Sequence, residues 1–249
     1  MAGAKERADE LLARLGLADS RSQARALIMA GRVYAGPMRI EKPGTPLAPT
    51  AALRVVQPCR YVSRGGEKLE HALRVFAAHG LSARDKICVD VGASTGGFTD
   101  CLLQHGAARV FAVDVGRGQL HPRLRADARV VVRERTNARS LCAADFPLPL
   151  DLVVVDVSFI GLGQLASALA SMVRPQGELV VLVKPQFEAG RAAASRGRGV
   201  IRDEAVREQA VARALAALGQ AGFALVAQVD SPLRGPKGNL ERLAYLRKG

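Results

Sequence analysis

A chain of 249 residues, 49% of them hydrophobic, holds enough apolar material for one large core and one small one. Its 36 Lys and Arg against 23 Asp and Glu leave a formal charge of +13, which points to a polyanionic partner, nucleic acid first, unless it only reflects an Arg-rich proteome. Aromatics at 4% with no Trp argue against recognition dominated by stacked bases, and the apolar runs at 152–155 and 179–183 are far too short to cross a bilayer. The first residues are charged and no apolar stretch follows, so no secretory leader is expected. Cys59, Cys88, Cys101 and Cys142 are scattered without metal-ligand spacing, which predicts reduced thiols, no metal and a cytoplasmic location.

Residues 1–60 read as a separate front unit. Residues 7–16 predict a short helix with Leu11, Leu12 and Leu15 on one face and Gly16 as its stop. Ser20-Arg-Ser-Gln23 has the form of a capping box and starts a second helix, with Ala24, Leu27 and Ile28 turned inward and Gly31 at its end. Arg21 and Arg25 share a face of that helix, and Arg32 lies just past it. Residues 33–40 suggest a small hairpin, and Lys42-Pro43-Gly44 a turn. Arg7, Arg14, Arg21, Arg25 and Arg32 are candidate phosphate contacts; spaced arginines also mark an ordinary solvated helix face. The pattern Gly16-Leu17, Ser20-Arg21, Ala24, Ile28, Gly31 and Val33 resembles the RNA-binding domain first seen in a small-subunit ribosomal protein. That resemblance implies RNA binding by shape and phosphate rather than by base edges.

Residues 61–249 form the second unit. Ser63-Arg64-Gly-Gly-Glu-Lys68 leads into a helix over 67–79, with Leu69, Leu73 and Phe76 on its buried side. Lys68 falls in the first turn, where a cation opposes the helix dipole, which points to a role other than helix stability, although lysines also stand at such positions by chance. Arg64 joins the basic candidates. A buried strand at 87–91 then runs into a glycine-rich turn and a helix with Phe98, Cys101, Leu102 and Leu103 inward. Strand, glycine turn and helix open a nucleotide-type α/β unit, and Asp90, Gly92, Ala93, Ser94, Gly96, Gly97 and Phe98 are its candidate cofactor residues. The dinucleotide fingerprint wants a glycine where Ser94 stands, which argues against a pyrophosphate cradle. Asp-x-Gly-x-x-x-Gly-Gly resembles the first motif of class I methyltransferases, which hold S-adenosylmethionine (SAM). A mere connector is the other reading, but three glycines in one loop cost chain entropy without a ligand.

A second strand over 109–114 ends in Asp114, placed to accept from ribose hydroxyls. After a third strand at 128–132 comes Asn137, a weaker candidate for the adenine end. Residues 151–159 predict a fourth strand whose continuous apolar run implies burial on both faces, with Asp156 at its ligand end. A helix over 163–173 precedes a fifth strand over 178–184, which puts Lys184 at the equivalent edge and beside Asp156. Residues 186–199 carry Arg191, Arg196 and Arg198 without periodicity and read as a loop that holds phosphates or is simply solvated. A helix over 202–218, a strand over 223–230, a turn rich in Gly and Pro, and a returning antiparallel strand over 240–246 with Glu241 near its start complete the chain.

Lys68, Asp156, Lys184 and Glu241 resemble the Lys-Asp-Lys-Glu tetrad of FtsJ-type RNA 2′-O-methyltransferases. Ser63-Arg-Gly-Gly-Glu-Lys-Leu, the glycine stretch, Val-Asp-Val-Ser-Phe, Val-Lys-Pro-Gln-Phe-Glu and Ser-Pro-Leu-Arg-Gly-Pro-Lys-Gly-Asn are together similar to the TlyA family over nearly the entire chain. The resemblance implies an α/β class I SAM-dependent methyltransferase, Rossmann-like with a mostly parallel seven-stranded sheet, behind a small α+β RNA-binding domain. It further implies cytidine 2′-O-methylation of 23S rRNA, and of 16S rRNA in longer members, with ribosomal RNA or ribosomal subunits as partners. In that chemistry a lysine takes the 2′-hydroxyl proton only as a neutral amine, a form that partial burial and a second cation favour. Asp156 would hold Lys184 and the cofactor's amino end, and Glu241 would orient Lys68 or the ribose. Three other readings compete: a small-molecule O-methyltransferase, which explains neither the front unit nor the charge; a membrane-active haemolysin; and an RNA-binding ribosome-assembly factor with a vestigial methyltransferase fold.

Overall fold

A computed structural model describes residues 5–56, 60–190 and 199–249. The chain divides into two compact units, Met1–Cys59 and Arg60–Gly249. Cys59, Arg191, Arg196 and Arg198 lie outside the described residues.

The front unit contains β1 (Glu6–Arg7), α1 (Ala8–Arg14), α2 (Arg21–Met29), β2 (Val33–Ala35), β3 (Met38–Arg39), β4 (Pro46–Leu47) and β5 (Leu53–Val55). The strands form a β1–β4 pair and a small sheet in the order β3-β2-β5, both antiparallel. Its core is small: Leu11 and Leu12 of α1, Ala24 and Ile28 of α2, with Val33, Ile40 and Leu47 from the strands. Leu15, expected on the inner face of α1, is instead exposed, because the helix ends at Arg14 and Leu15 turns outward as its cap. Ser20 caps α2 by accepting from the Gln23 amide at 3.2 Å, as the capping box predicts. The return arm slips by one residue, the Gln23 side chain accepting from Asp19 N.

The second unit is built on one seven-stranded sheet. Its elements are α3 (Gly65–Phe76), β6 (Ile87–Val91), α4 (Gly97–Gln104), β7 (Arg109–Val113), α5 (Pro122–Arg125), β8 (Val130–Arg133), β9 (Leu150–Val155), α6 (Ala166–Met172), β10 (Val173–Val183), α7 (Pro185–Glu188), α8 (Glu204–Gln220), β11 (Phe223–Asp230) and β12 (Arg242–Lys248). The strand order is β11-β12-β10-β9-β6-β7-β8, with only β12 reversed. Alternation along the strands divides the core. Val89, Val153, Val155 and Val181 face α6 and α8, whereas Cys88, Leu152, Val154 and Val180 face α3 and α4. This is why the fourth apolar run has no polar alternation: both of its faces are covered.

Several boundaries depart from expectation: α3 begins at Gly65, and α8 and β12 each lie two residues further along the chain than expected. β8 begins at Val130, two residues late. β9 stops at Val155, and residues up to Phe159 leave the sheet as a loop in which Phe159 has φ +67°. The segment expected as a helix over 163–173 is a short 3₁₀ turn (Leu162–Gln164) followed by α6, and β10 already starts at Val173, with a register shift before Glu178. Arg174-Pro175-Gln176-Gly177 causes that shift: Pro175 has no N–H for the ladder and Gln176 sits at φ +59°.

Candidate active site

The sheet order reverses between β6 and β9, and in such sheets a crevice opens beyond the carboxyl ends of those strands. A cavity of about 550 Å³ lies there, in the size range of ligand sites. Four separate pieces of chain deliver four of its ionic side chains. Asp156 follows β9, Lys184 follows β10, Lys68 projects from the first turn of α3, and Glu241 immediately precedes β12.

These four make two ion pairs. Lys68 Nζ donates to Glu241 Oε2 at 2.5 Å, with the two residues only 9% and 1% exposed. Lys184 Nζ lies 2.6 Å from Asp156 Oδ1 and donates to Ser158 Oγ at 3.0 Å. The Lys184–Asp156 approach is a charge contact without hydrogen-bond alignment, so Asp156 Oδ1 keeps its accepting capacity. The tetrad residues expected from sequence are thus brought together, and parallel pairing of β9 with β10 sets the second pair side by side.

The glycine turn forms the opposite wall. Gly92 has φ +86°, and a Cβ there would stand 2.6 Å from the Asp156 carbonyl oxygen, so both backbone shape and space require glycine. Asp90, fully buried and among the residues that line the cavity, accepts from Thr99 N at 2.9 Å and Thr99 Oγ1 at 2.7 Å through Oδ2, while Oδ1 has no partner. Ala93, Ser94, Gly97, Phe98 and Arg64 also line the cavity.

Burial pushes the Asp90 carboxyl up to about 7, against the pull of its Thr99 bonds. A folded pKa above the ordinary carboxylate value means that the fold favours the protonated acid. That stabilisation is complete at low pH and is lost as pH rises through about 7. Asp90→Asn keeps an oxygen for Thr99 and cannot ionise. Between pH ~5 and ~8 the parent chain, free of ligand, is therefore expected to lose on the order of a few kcal/mol relative to Asp90→Asn. Paired thermal melts across that range measure it; a pH-independent difference would refute it.

Three cofactor candidates lie outside the cavity lining. Gly96 packs beneath the turn, where a Cβ would meet Leu120 at 2.8 Å. Asp114 accepts from Ser94 N at 2.8 Å and Gly116 N at 2.7 Å, and so pins Ser94 at its φ of +49°. Asn137 is not brought to the site: its amide oxygen caps a 3₁₀ turn by accepting from Arg139 N at 3.1 Å. The sequence reading assigned no roles to Ser158, Gln186 and Asn239, which line the cavity within the quoted motifs, nor to Phe159. Phe159 is 91% exposed and faces Phe187 with 5.3 Å between ring centroids. Its left-handed backbone, invisible to pattern reading, is what lifts it out of the sheet.

The basic candidates of the front unit divide by what they touch. Arg7 Nε and Arg21 Nε reach the fully buried Asp9 at 3.0 and 3.1 Å, and Arg14 pairs with Glu6 at 2.9 Å. Burial pushes Asp9 up, but the Arg7 and Arg21 hydrogen bonds outweigh it and hold the carboxyl below its usual range. These three arginines thus hold carboxylates of their own unit, with about half of each side chain still exposed. Arg25 is exposed and Arg32 half-buried. Arg21→Ala is expected to lower the melting temperature by leaving Asp9 short of a partner. Arg25→Ala should leave it unchanged and instead flatten the salt dependence of RNA binding by about one counterion. Melts and salt titrations of the two variants check this; equal behaviour would overturn the division.

Among the described residues no group of His, Cys, Asp and Glu could hold a metal ion, and no helix is long and apolar enough to cross a membrane.

Residues 61–248 match the family model of the FtsJ-like methyltransferases, and residues 6–52 that of the S4 domain. The chain is 44% identical over 245 residues to a Mycobacterium tuberculosis protein named 16S/23S rRNA (cytidine-2'-O)-methyltransferase TlyA, covering 98% of this chain and 90% of that one. It is 43% identical to Hemolysin A of Brachyspira hyodysenteriae, over 96% of this chain and 98% of the relative. A Streptococcus thermophilus protein solved under the name hemolysin superposes with a TM-score of 0.74 at 42% identity, covering 98% of this chain and 89% of that one.

Proposed function

Because this chain belongs to the TlyA family of FtsJ-like methyltransferases with a front S4 domain, we propose that it transfers a methyl group from SAM to the 2′-hydroxyl of a cytidine in ribosomal RNA. The substrate is 23S rRNA, with 16S rRNA a second one, met as free RNA or in a ribosomal subunit; its place of work is then the cytoplasm. In this reading residues 1–60 bind RNA and residues 61–249 carry the chemistry. One observation carries the proposal: two lysine–carboxylate pairs from four chain segments meet in a single cavity against a glycine turn.

The cavity fits SAM on its own features. Asp90 Oδ1 is a buried acceptor that lacks a donor, and Gly92 lets the turn lie directly against the Asp156 backbone, which brings both carboxylates to the same cavity. When bound, SAM supplies a sulfonium methyl, an electrophile whose positive charge disappears on transfer. Asp90 and Asp156 offer their carboxylates to the cationic amino end. Asp114, fixed against the turn, stands ready for ribose hydroxyls. Lys184 holds the acceptor hydroxyl and takes its proton, steadied by Ser158. Asp156, 2.6 Å from Lys184, links the acceptor side of the cavity to the donor side. Lys68, clamped by Glu241, keeps a second positive charge beside the reacting oxygen. Since charges of opposite sign cancel in this transfer, a cavity closed to water favours the transition state over the separated ions. Exposed Phe159, backed by half-buried Phe187, offers the acceptor base a face at the rim.

The test is to incubate the full chain and labelled SAM with unmodified 23S and 16S rRNA, both free and in 50S and 30S particles, and to map the label. Methyl on a cytidine 2′-oxygen is the expected result. SAM binding without transfer to any of these would favour the assembly-factor reading, and label on a base would refute the ribose assignment.

A further inference from the structure

We propose that Arg234 and Lys237 form a phosphate grip for the acceptor strand, holding the phosphodiesters that flank the target ribose; this rests on the reading above that RNA is the substrate.

The charge of the cavity is layered. Its lining contains five cations (Arg64, Lys68, Lys184, Arg234 and Lys237) and three carboxylates (Asp90, Asp156 and Glu241). Lys68 and Lys184 are matched by Glu241 and Asp156. Asp90 is buried behind the glycine turn. Arg64, Arg234 and Lys237 make no ion pair among the described residues, and residues 191–198 contain no Asp or Glu that could supply one. The inner site thus holds two matched pairs and one buried carboxylate, and the rim is cationic without a partner among the described residues. A rim of that kind suits a ligand with repeated negative charge.

Arg234 and Lys237 differ from scattered surface cations because their loop is pre-shaped. It joins β11 to β12 and is closed at its base by Ser231 N donating to Glu241 O at 2.8 Å. Gly235 N donates to Asn239 O at 2.9 Å and Gly238 N to Gly235 O at 2.8 Å. Buried Asn239 straps the loop to the segment beside it, donating from Nδ2 to Gly199 O at 2.7 Å and accepting from Ile201 N at 2.8 Å. The loop also rests on the tetrad: a Cβ on Gly235 would stand 2.5 Å from Glu241 Oε1, so only glycine lets it lie that close. Arg234 uses one donor on Gly238 O at 3.0 Å and keeps the rest of its guanidinium fork. A cation placed in this way loses little freedom when it meets a phosphate, and its position is referenced to Glu241 and through it to Lys68.

Topology assigns the grip to the acceptor rather than the donor. The glycine turn and Asp114 follow β6 and β7, whereas β12 pairs with β10, the strand that delivers Lys184. Target ribose and grip therefore share one end of the crevice. A ribose inside an RNA chain has a phosphodiester on each side, and two neighbouring cations meet that requirement.

The experiment uses the full chain with unmodified rRNA and compares Arg234→Ala, Lys237→Ala, the double variant and Lys237→Arg. Both side chains are exposed, so truncation leaves no buried group unpaired. The expected result is a KM for RNA about tenfold higher in each alanine variant, with a fall in kcat smaller than that rise. The salt slope of RNA binding should drop by about one per removed charge, and Lys237→Arg should restore most of the loss. An unchanged salt slope and KM would overturn the grip. So would a rise in the SAM Kd that parallels the loss, which would give these cations to the donor's carboxylate. If the parent chain itself transfers no methyl to RNA, the functional reading fails; transfer by the parent with unaltered variants defeats the grip alone.

Discussion

Lys184→Ala lowers the rate of methyl transfer by about 10²–10⁴-fold while SAM affinity stays within a few-fold. The expectation follows from where Lys184 stands: at the end of β10, 2.6 Å from Asp156 and 3.0 Å from Ser158 Oγ, with no contact to the glycine turn among its polar partners. Removing it takes away the group that meets the acceptor hydroxyl and leaves the donor side of the cavity in place. Lys184→Arg divides the two tasks the lysine could have. A guanidinium keeps the positive charge and the hydrogen bonds but does not give up its proton. An arginine variant as inactive as the alanine variant identifies proton transfer as the task; one that retains a large share of the rate identifies steering of the hydroxyl. Single-turnover kinetics with SAM titrated separately make the measurement. Equal loss of rate and SAM affinity in a folded protein would move Lys184 from the acceptor to the donor.

Glu241→Ala is expected to destabilise the second unit by about 3 kcal/mol, through the buried cation it leaves behind. Lys68 is nearly buried and Glu241 fully so, and their 2.5 Å bond joins α3 to the start of β12. Breaking one side of such a pair leaves an uncompensated charge, moderated here by water in the cavity. For a unit of this size a melting temperature lower by several degrees follows. Replacing both partners with apolar residues, Lys68→Met with Glu241→Leu, should restore much of the melting temperature, since no charge is then stranded. It should not restore methyl transfer, because the cation beside the reacting oxygen is gone. Recovery of both would make the pair purely structural, and a melting temperature unmoved by Glu241→Ala would show that the pair is solvated.

The sheet and the tetrad could be read from the chain because both leave local traces. Runs such as Leu152 to Val155 mark strands covered on both faces, and a charged residue at the end of such a run, Asp156 or Lys184, is displayed at the crevice by the parallel topology itself. Lys68 drew attention because a cation in the first turn of a helix opposes its dipole. Asn137 misled for the converse reason: a polar residue after a strand is equally suited to cap a turn, and its bond to Arg139 N takes that role. The ion pairs of the front arginines were equally hidden, since helical spacing shows which residues share a face but not that Asp9, on the preceding helix, is buried and takes both Arg7 and Arg21.

Local order along the backbone thus belonged to the sequence: which segments are strands and which charged side chains follow them, though β9 stops at Val155 rather than at Phe159. Partnership belonged to the tertiary structure. That Lys68 meets Glu241 across 173 positions of chain, and that the Ser231–Asn239 loop comes to rest on that same carboxylate, depends on α3 packing beside a strand that returns antiparallel at the far end of the chain. Periodicity reports the environment of one segment, whereas a pair of buried charges is selected by the distance between two of them, and only the assembled sheet sets that distance.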